Sequence, residues 1–176
     1  MESYILLKEE FVLENTAKEL PKRSEVPVEL TWRLEDIFAT DEEWEKEFKQ
    51  LQQEIPKAEQ YKGKLGESAD QLYAYLKLED EIWNRLVKLY TYLSMRSDQA
   101  TTRSFFQGLN SPAAILATQA SSAMSFAVPE ILTIDEERIA AFLEEKKELR
   151  LYKKVLDEIN RQRPHVLSEK EEALLA

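Results

Sequence analysis

Cysteine is absent from the 176 residues, which removes disulfides, thiolate nucleophiles and cysteine metal sites together and fits a reducing compartment. Histidine occurs once, at His165. A catalytic zinc site takes two or three histidines with a carboxylate, so the ligand inventory for one is missing. Three glycines cannot build a phosphate-cradling loop. With only 6 prolines beside them, tight turns are few and long helices are favoured. Positive charge is short as well: 24 Lys and Arg stand against 34 Asp and Glu, a net charge of -10. No basic patch is available to release phosphate counterions, which argues against nucleic acid and anionic membranes. The start, Met1 to Lys8, has no basic n-region and four consecutive apolar residues, so it does not read as a secretory signal. These absences point to a cytoplasmic protein. Charge is missing altogether from Ser104 through Pro129. Ser, Thr, Asn and Gln interrupt that run throughout, so it reads as the most buried helix of a soluble bundle and not as a membrane span.

Helical punctuation is plentiful. Pro21 to Pro27 reads as an extended connector, followed by a short helix from Trp32 to Phe38 anchored by Trp32, Leu34, Ile37 and Phe38. Thr40-Asp41-Glu42-Glu43 is a capping box. Trp44, Phe48, Leu51 and Ile55 follow at spacings of 4, 3 and 4, one face of an amphipathic helix that Pro56 can kink before a turn at Gly63 and Gly66. Ser68 caps the longest helix, Ala69 to Arg96, and Asp98 to Thr102 reads as a brief turn. A further helix runs from about Thr101 to Val128, bent near Gly108 to Pro112 and ended by Pro129. Asp135 to Leu143 and Leu149 to Arg161 are two shorter helices. A last capping box, Ser168 with Glu171, opens a helix in which Leu174 and Leu175 await a partner; this reads as the front part of a longer protein. No strand pattern or repeat is present. The fold class is all-α, a bundle of long antiparallel helices with shorter helices at the C-terminal end.

Chemistry-bearing constellations are lacking. His165 has no sequence partner, and residue 162 is Gln, so no Glu-x-x-His pair exists for a carboxylate-bridged metal site. The pairs Glu42-Glu43, Glu144-Glu145 and Glu171-Glu172 read as solvated helix faces. Tyr73, Tyr75, Trp83, Tyr90 and Tyr92 could line a ligand groove, but aromatic stripes at helical spacing are more often core. No catalytic, cofactor-binding or metal residue is assigned.

Three segments in order carry a resemblance. Leu20 to Pro27 leads through Trp32-Arg33-Leu34-Glu35-Asp36-Ile37-Phe38 to Glu42-Glu43-Trp44-Glu45; Met95-Arg96-Ser97-Asp98-Gln99-Ala100-Thr101-Thr102 comes second; Arg163-Pro164-His165-Val166-Leu167-Ser168 through Leu174-Leu175-Ala176 comes last. Together they resemble the N-terminal region of oligoendopeptidase F, a zinc metallopeptidase of the thimet-oligopeptidase kind. The likeness covers about residues 19 to 176 and leaves out 1 to 18. It implies a cytoplasmic enzyme that cuts short peptides in a deep channel whose wall a helical N-terminal region helps to form. In that family the chemistry resides in a His-Glu-x-x-His motif with a downstream Glu. There zinc polarises the scissile carbonyl and lowers the pKa of its water, and the motif's Glu is general base. One histidine cannot hold that motif, so only scaffold positions carry over: Trp32, Asp36, Trp44, Asp98, Arg163 and Pro164.

The resulting expectations are a poorly defined segment at 1–20 and a helical N-terminal domain at 21–176, with the catalytic domain absent from the chain. The chain alone is expected to be inactive and to hold no cofactor, with zinc in the parent enzyme. Expected partners are short peptides for the parent and the missing catalytic domain, with no nucleic acid and no membrane, and self-association of the isolated chain as a homodimer. The competing reading is a stand-alone helical module that binds peptides or a protein.

Overall fold

The structure, a computed structural model, describes residues 25–99 and 104–165. The chain divides into two units, 1–33 and 34–176. In the first, Val28–Leu30 forms a single 3-10 turn, closed where the Thr31 hydroxyl donates to the Val28 carbonyl at 2.7 Å. The described residues of the second unit form helices joined by short turns and contain no strand. The all-α bundle read from the sequence is the fold observed.

The helix expected at Trp32 to Phe38 is only a 3-10 turn, Leu34–Asp36, which buries Leu34. Helix α1, Asp41–Glu54, starts where the sequence places it. Thr40 Oγ1 accepts from the Glu43 amide at 3.3 Å, and the Glu43 carboxylate reaches back to the Ala39 amide at 3.2 Å. Its apolar face buries Trp44 and Leu51. Pro56 does not kink this helix. Lacking an N–H for the 52 carbonyl, it lets the chain rewind as a 3-10 segment, Ile55–Tyr61, that still buries Ile55 and Ala58. Gly63 then takes φ +80°, the left-handed region glycine enters without steric cost.

Helix α2, Ala69–Gln99, is 31 residues long, about 46 Å at 1.5 Å per residue. Ser68 Oγ accepts from the Gln71 amide at 3.2 Å and caps it. Asp98, expected in a turn, lies in its last turn instead, because neither Gly nor Pro occurs there to stop it. Helix α3, Ser104–Met124, contains Pro112 as one continuous element. The short link between α2 and α3 makes these packed neighbours antiparallel.

Pro129 does not end that helix either. The chain breaks at Ser125 and Phe126, and Pro129 sits in the first turn of α4, Ala127–Thr133. A first-turn amide has no helical acceptor, so proline loses nothing there, whereas continuing α3 would have driven its ring into the 125 carbonyl. Helix α5 is Glu136–Glu145. The helix expected from Leu149 to Arg161 divides in two, a 3-10 segment Lys147–Tyr152 and α6, Lys153–Gln162. The tighter winding turns Leu149 fully inward before Tyr152 restarts the α-helix. Ser168, Glu171, Leu174 and Leu175 lie outside the described residues.

Two apolar cores result, and α2 is in both. Its later part, with Ile82, Leu86, Leu89 and Leu93, packs with Trp44, Leu51 and Leu116. Its first turns, with Leu72, Tyr75 and Leu76, pack with Ile131, Phe142, Leu149 and Leu156. From residue 112 onward, where side chains of the uncharged 104–128 run are described, the burial expected of it is only partial. Ala113, Leu116, Ala120 and Ala123 of α3 are buried, but Ile115, Thr118, Gln119, Ser121 and Ser122 face water. Uncharged Ser, Thr and Gln solvate a surface without appearing in a charge count. Amide hydrogen exchange is accordingly expected to be slowest around Leu86 to Leu93 of α2, with α3 faster; the reverse order would place the centre of the bundle in α3.

Candidate functional site

The aromatic set considered as a groove does not converge. Tyr75 and Tyr92 are buried, in different cores. Tyr73 is half-buried, its ring 6.2 Å from that of Tyr152. Trp83 and Tyr90 are exposed on α2. The core reading thus holds for three of the five. His165 lies in a 3-10 turn, Arg163–His165.

Polar side chains instead form clamps between elements. Asp41, at the start of α1, accepts from the Tyr92 hydroxyl at 2.6 Å and from Arg96 Nη2 at 3.0 Å. Phe38 stands edge-on to Tyr92 at 5.4 Å. Arg85 of α2 bridges Glu47 and Glu54 of α1; hydrogen bonds from Gln50 and Arg85 hold the Glu54 carboxyl below its ordinary pKa. Trp44 Nε1 donates to the Leu89 carbonyl at 2.9 Å. Glu130 of α4 accepts from the amides of Gly63 and Leu65, both at 2.7 Å. Arg138 of α5 donates to the carbonyls of Gly66 and Glu67 at 2.9 and 3.1 Å. The turn joining the 3-10 segment to α2 is therefore gripped from both sides. Arg163 donates to the Leu132 and Ile134 carbonyls and to Asn160, covering C-terminal carbonyls of α4 that have no helical partner. Among the scaffold positions of the resemblance, Trp44 and Arg163 thus have visible structural roles.

One carboxyl is partly buried. Glu79 follows Tyr75 by one turn, and the buried Tyr75 hydroxyl has no hydrogen-bond partner of good geometry. Burial, and then the Asp80 charge, push the Glu79 carboxyl above its ordinary pKa of 4.5, with Tyr75 opposing. Ionising Glu79 is thus harder in the folded chain than in the unfolded one. The stability tied to its neutral form is present below the unfolded pKa and is lost as pH rises through the folded value. Glu79→Gln is expected to raise the urea midpoint at pH 7 and to leave it unchanged at about pH 3.5. An equal gain at both pH values would mean that ionisation is not the cause.

A shallow open groove of ≈ 360 Å³ runs between the Ile55–Tyr61 segment and α3, lined by Gln52, Ile55, Pro56, Glu59, Gln119, Ser122 and Ala123. Glu59 is the one titratable group among these residues, so the groove holds no acid–base pair. Among the described residues no group of three or more His, Asp or Glu side chains is placed to hold a metal ion. Among the described residues, these contacts join and orient helices.

Comparison with known proteins accounts for such a scaffold. The family model described as Oligopeptidase F matches residues 130–176. Oligopeptidase PepF of Bacillus subtilis is 56% identical over 163 residues, which are 93% of this chain and 24% of that protein. Group B oligopeptidase PepB of Streptococcus agalactiae is 38% identical over 88% of this chain and 26% of its own length. The crystal structure of oligoendopeptidase-F from Enterococcus faecium superposes with a TM-score of 0.64 at 29% identity, covering 77% of this chain and 27% of that one. The chain belongs to the oligoendopeptidase F family and corresponds to its N-terminal region. It spans about a quarter of the length of the curated relatives it matches.

Proposed function

We propose that this chain is the N-terminal helical domain of a zinc-dependent, cytoplasmic oligoendopeptidase that cleaves short peptides, and that it forms part of the wall limiting access to the catalytic centre. The observation that carries the reading is the 56% identity to an oligopeptidase across 93% of the chain. A scaffold of helix clamps without an acid–base constellation suits a wall, and so does a sequence with one histidine, into which a His-Glu-x-x-His motif cannot fit. The zinc ligands and the general base therefore belong to residues outside these 176. No reaction step is assigned to the residues present here. The isolated chain is proposed to self-associate weakly, more so at high salt, where screening reduces the repulsion of a -10 net charge.

Purified alone, the chain is expected to carry no stoichiometric zinc and to leave a short quenched-fluorescence peptide intact. Elemental analysis and a cleavage assay with and without chelator check this. Stoichiometric zinc together with chelator-sensitive cleavage would overturn the assignment of the chemistry to other residues.

A further inference from the structure

On α2, Leu72, Leu76, Glu79, Trp83, Val87 and Tyr90 follow one another at spacings of 4, 3, 4, 4 and 3, a single stripe along the helix. The helices that follow α3 bury its first part, Leu72 and Leu76. That layer ends over Asp80: Tyr152, the last residue of its 3-10 segment, sets its ring on Tyr73 and its hydroxyl on Asp80. One turn further the same stripe faces water, with Trp83 39%, Val87 61% and Tyr90 58% exposed.

We propose that Trp83, Val87 and Tyr90 seat an amphipathic helix from the remainder of the peptidase polypeptide, a helix whose apolar side is edged by Lys or Arg. The proposal rests on the reading of the chain as a domain of a longer peptidase. Three observations select this occupant. The stripe continues a helix face that packed helices already cover, so another helix laid in the same layer extends an existing interface. Asp80 borders the stripe where the covering layer ends, and Asp98 stands about two turns beyond Tyr90 on the same helix, so basic edges complement it. The area decides between a tethered helix and a second copy. Three side chains at these exposures offer roughly 300 Å², against about 800 Å² per partner in a stable complex. A patch that small is too little to hold a second copy of the chain, and it suits a helix that belongs to a larger contact with the rest of the same polypeptide.

The test is co-purification. This chain, affinity-tagged, is co-expressed with the part of Bacillus subtilis oligopeptidase PepF that lies outside the matched stretch. The wild-type chain is expected to retain that part on the column. V87E/Y90E is expected to retain about tenfold less, since interface anchors of this kind commonly contribute that much. Lys88→Glu, an exposed charge change on the same helix but off the stripe, is expected to behave as wild type. Retention by V87E/Y90E equal to wild type would overturn the seat while leaving the domain reading intact. No retention by the wild-type chain would overturn the seat, while the domain reading, which rests on the 56% identity to an oligopeptidase, is decided separately by whether the chain replaces the matched stretch of that protein. If the double variant loses its helical circular dichroism, Tyr90→Ser, which removes only an exposed ring, takes its place, and undiminished retention then overturns the seat.

Discussion

Trp44→Ala is expected to lower the stability of the chain by about 3–5 kcal/mol, read as a fall in the urea midpoint. Trp44 is 3% exposed in the core shared by α1 and α2, stacked on Phe48 at 5.4 Å. Truncation removes a large apolar volume, and the helices around it relax only in part. Its indole N–H also donates to the Leu89 carbonyl across 45 residues of chain, so α1 loses a directional tie to α2. Trp44→Phe keeps most of the volume and forfeits the hydrogen bond, and its cost is expected near 1 kcal/mol. A whole-domain stability is about 5–15 kcal/mol, so the alanine variant should sit close to unfolding. If Trp44→Ala instead costs no more than Trp44→Phe, the packing around α1 is not what holds the two helices together.

Glu130→Ala is expected to cost about 2 kcal/mol, the scale of two charge-assisted hydrogen bonds at a partly exposed site. The carboxylate holds the amides of Gly63 and Leu65 at 2.7 Å each, and Leu65 is fully buried beneath them. Without the acceptor, Gly63 in its left-handed conformation and the buried approach of Leu65 lose their anchor. The readout specific to this account is local. Exchange at the Gly63 and Leu65 amides should accelerate well beyond that of α2, and Glu130→Gln, with one acceptor left, should fall between. Uniform acceleration across the chain would mean that Glu130 acts only through the stability of α4.

What the sequence made legible was local physics. Thr40 and Ser68 cap their helices as read, since the cap and its target amide lie three residues apart. The apolar spacing of Trp44, Leu51 and Ile55 delivered the buried face that α1 continues into the 3-10 segment after it. Positions where two outcomes share one local signal misled. Proline forbids a helix through its own amide but not a helix starting around it, so Pro129 opens α4 where a terminus was read. The missing charge in α3 suggested full burial, yet Ser and Gln face water there. The clamps were invisible because each joins residues far apart in the chain. Glu130 meets Gly63 across 67 residues and Arg138 meets Gly66 across 72, and no short pattern encodes such pairs. The exposed end of the α2 stripe has the same origin. Trp83 and Tyr90 continue the periodicity of Leu72 and Leu76 and differ only in what lies over them. The family became legible through the three segments of the resemblance, of which Trp44 and Arg163 have structural roles in view.

A chimera tests the central claim most directly. The matched stretch of Bacillus subtilis oligopeptidase PepF is replaced by this chain, and cleavage of a short quenched-fluorescence peptide is measured for the chimera and for the chain alone. The account expects a chimera that cleaves the peptide, stops with chelator and resumes with zinc, beside a chain that never cleaves it. A folded chimera without activity, or a chain that cleaves the peptide by itself, would contradict it.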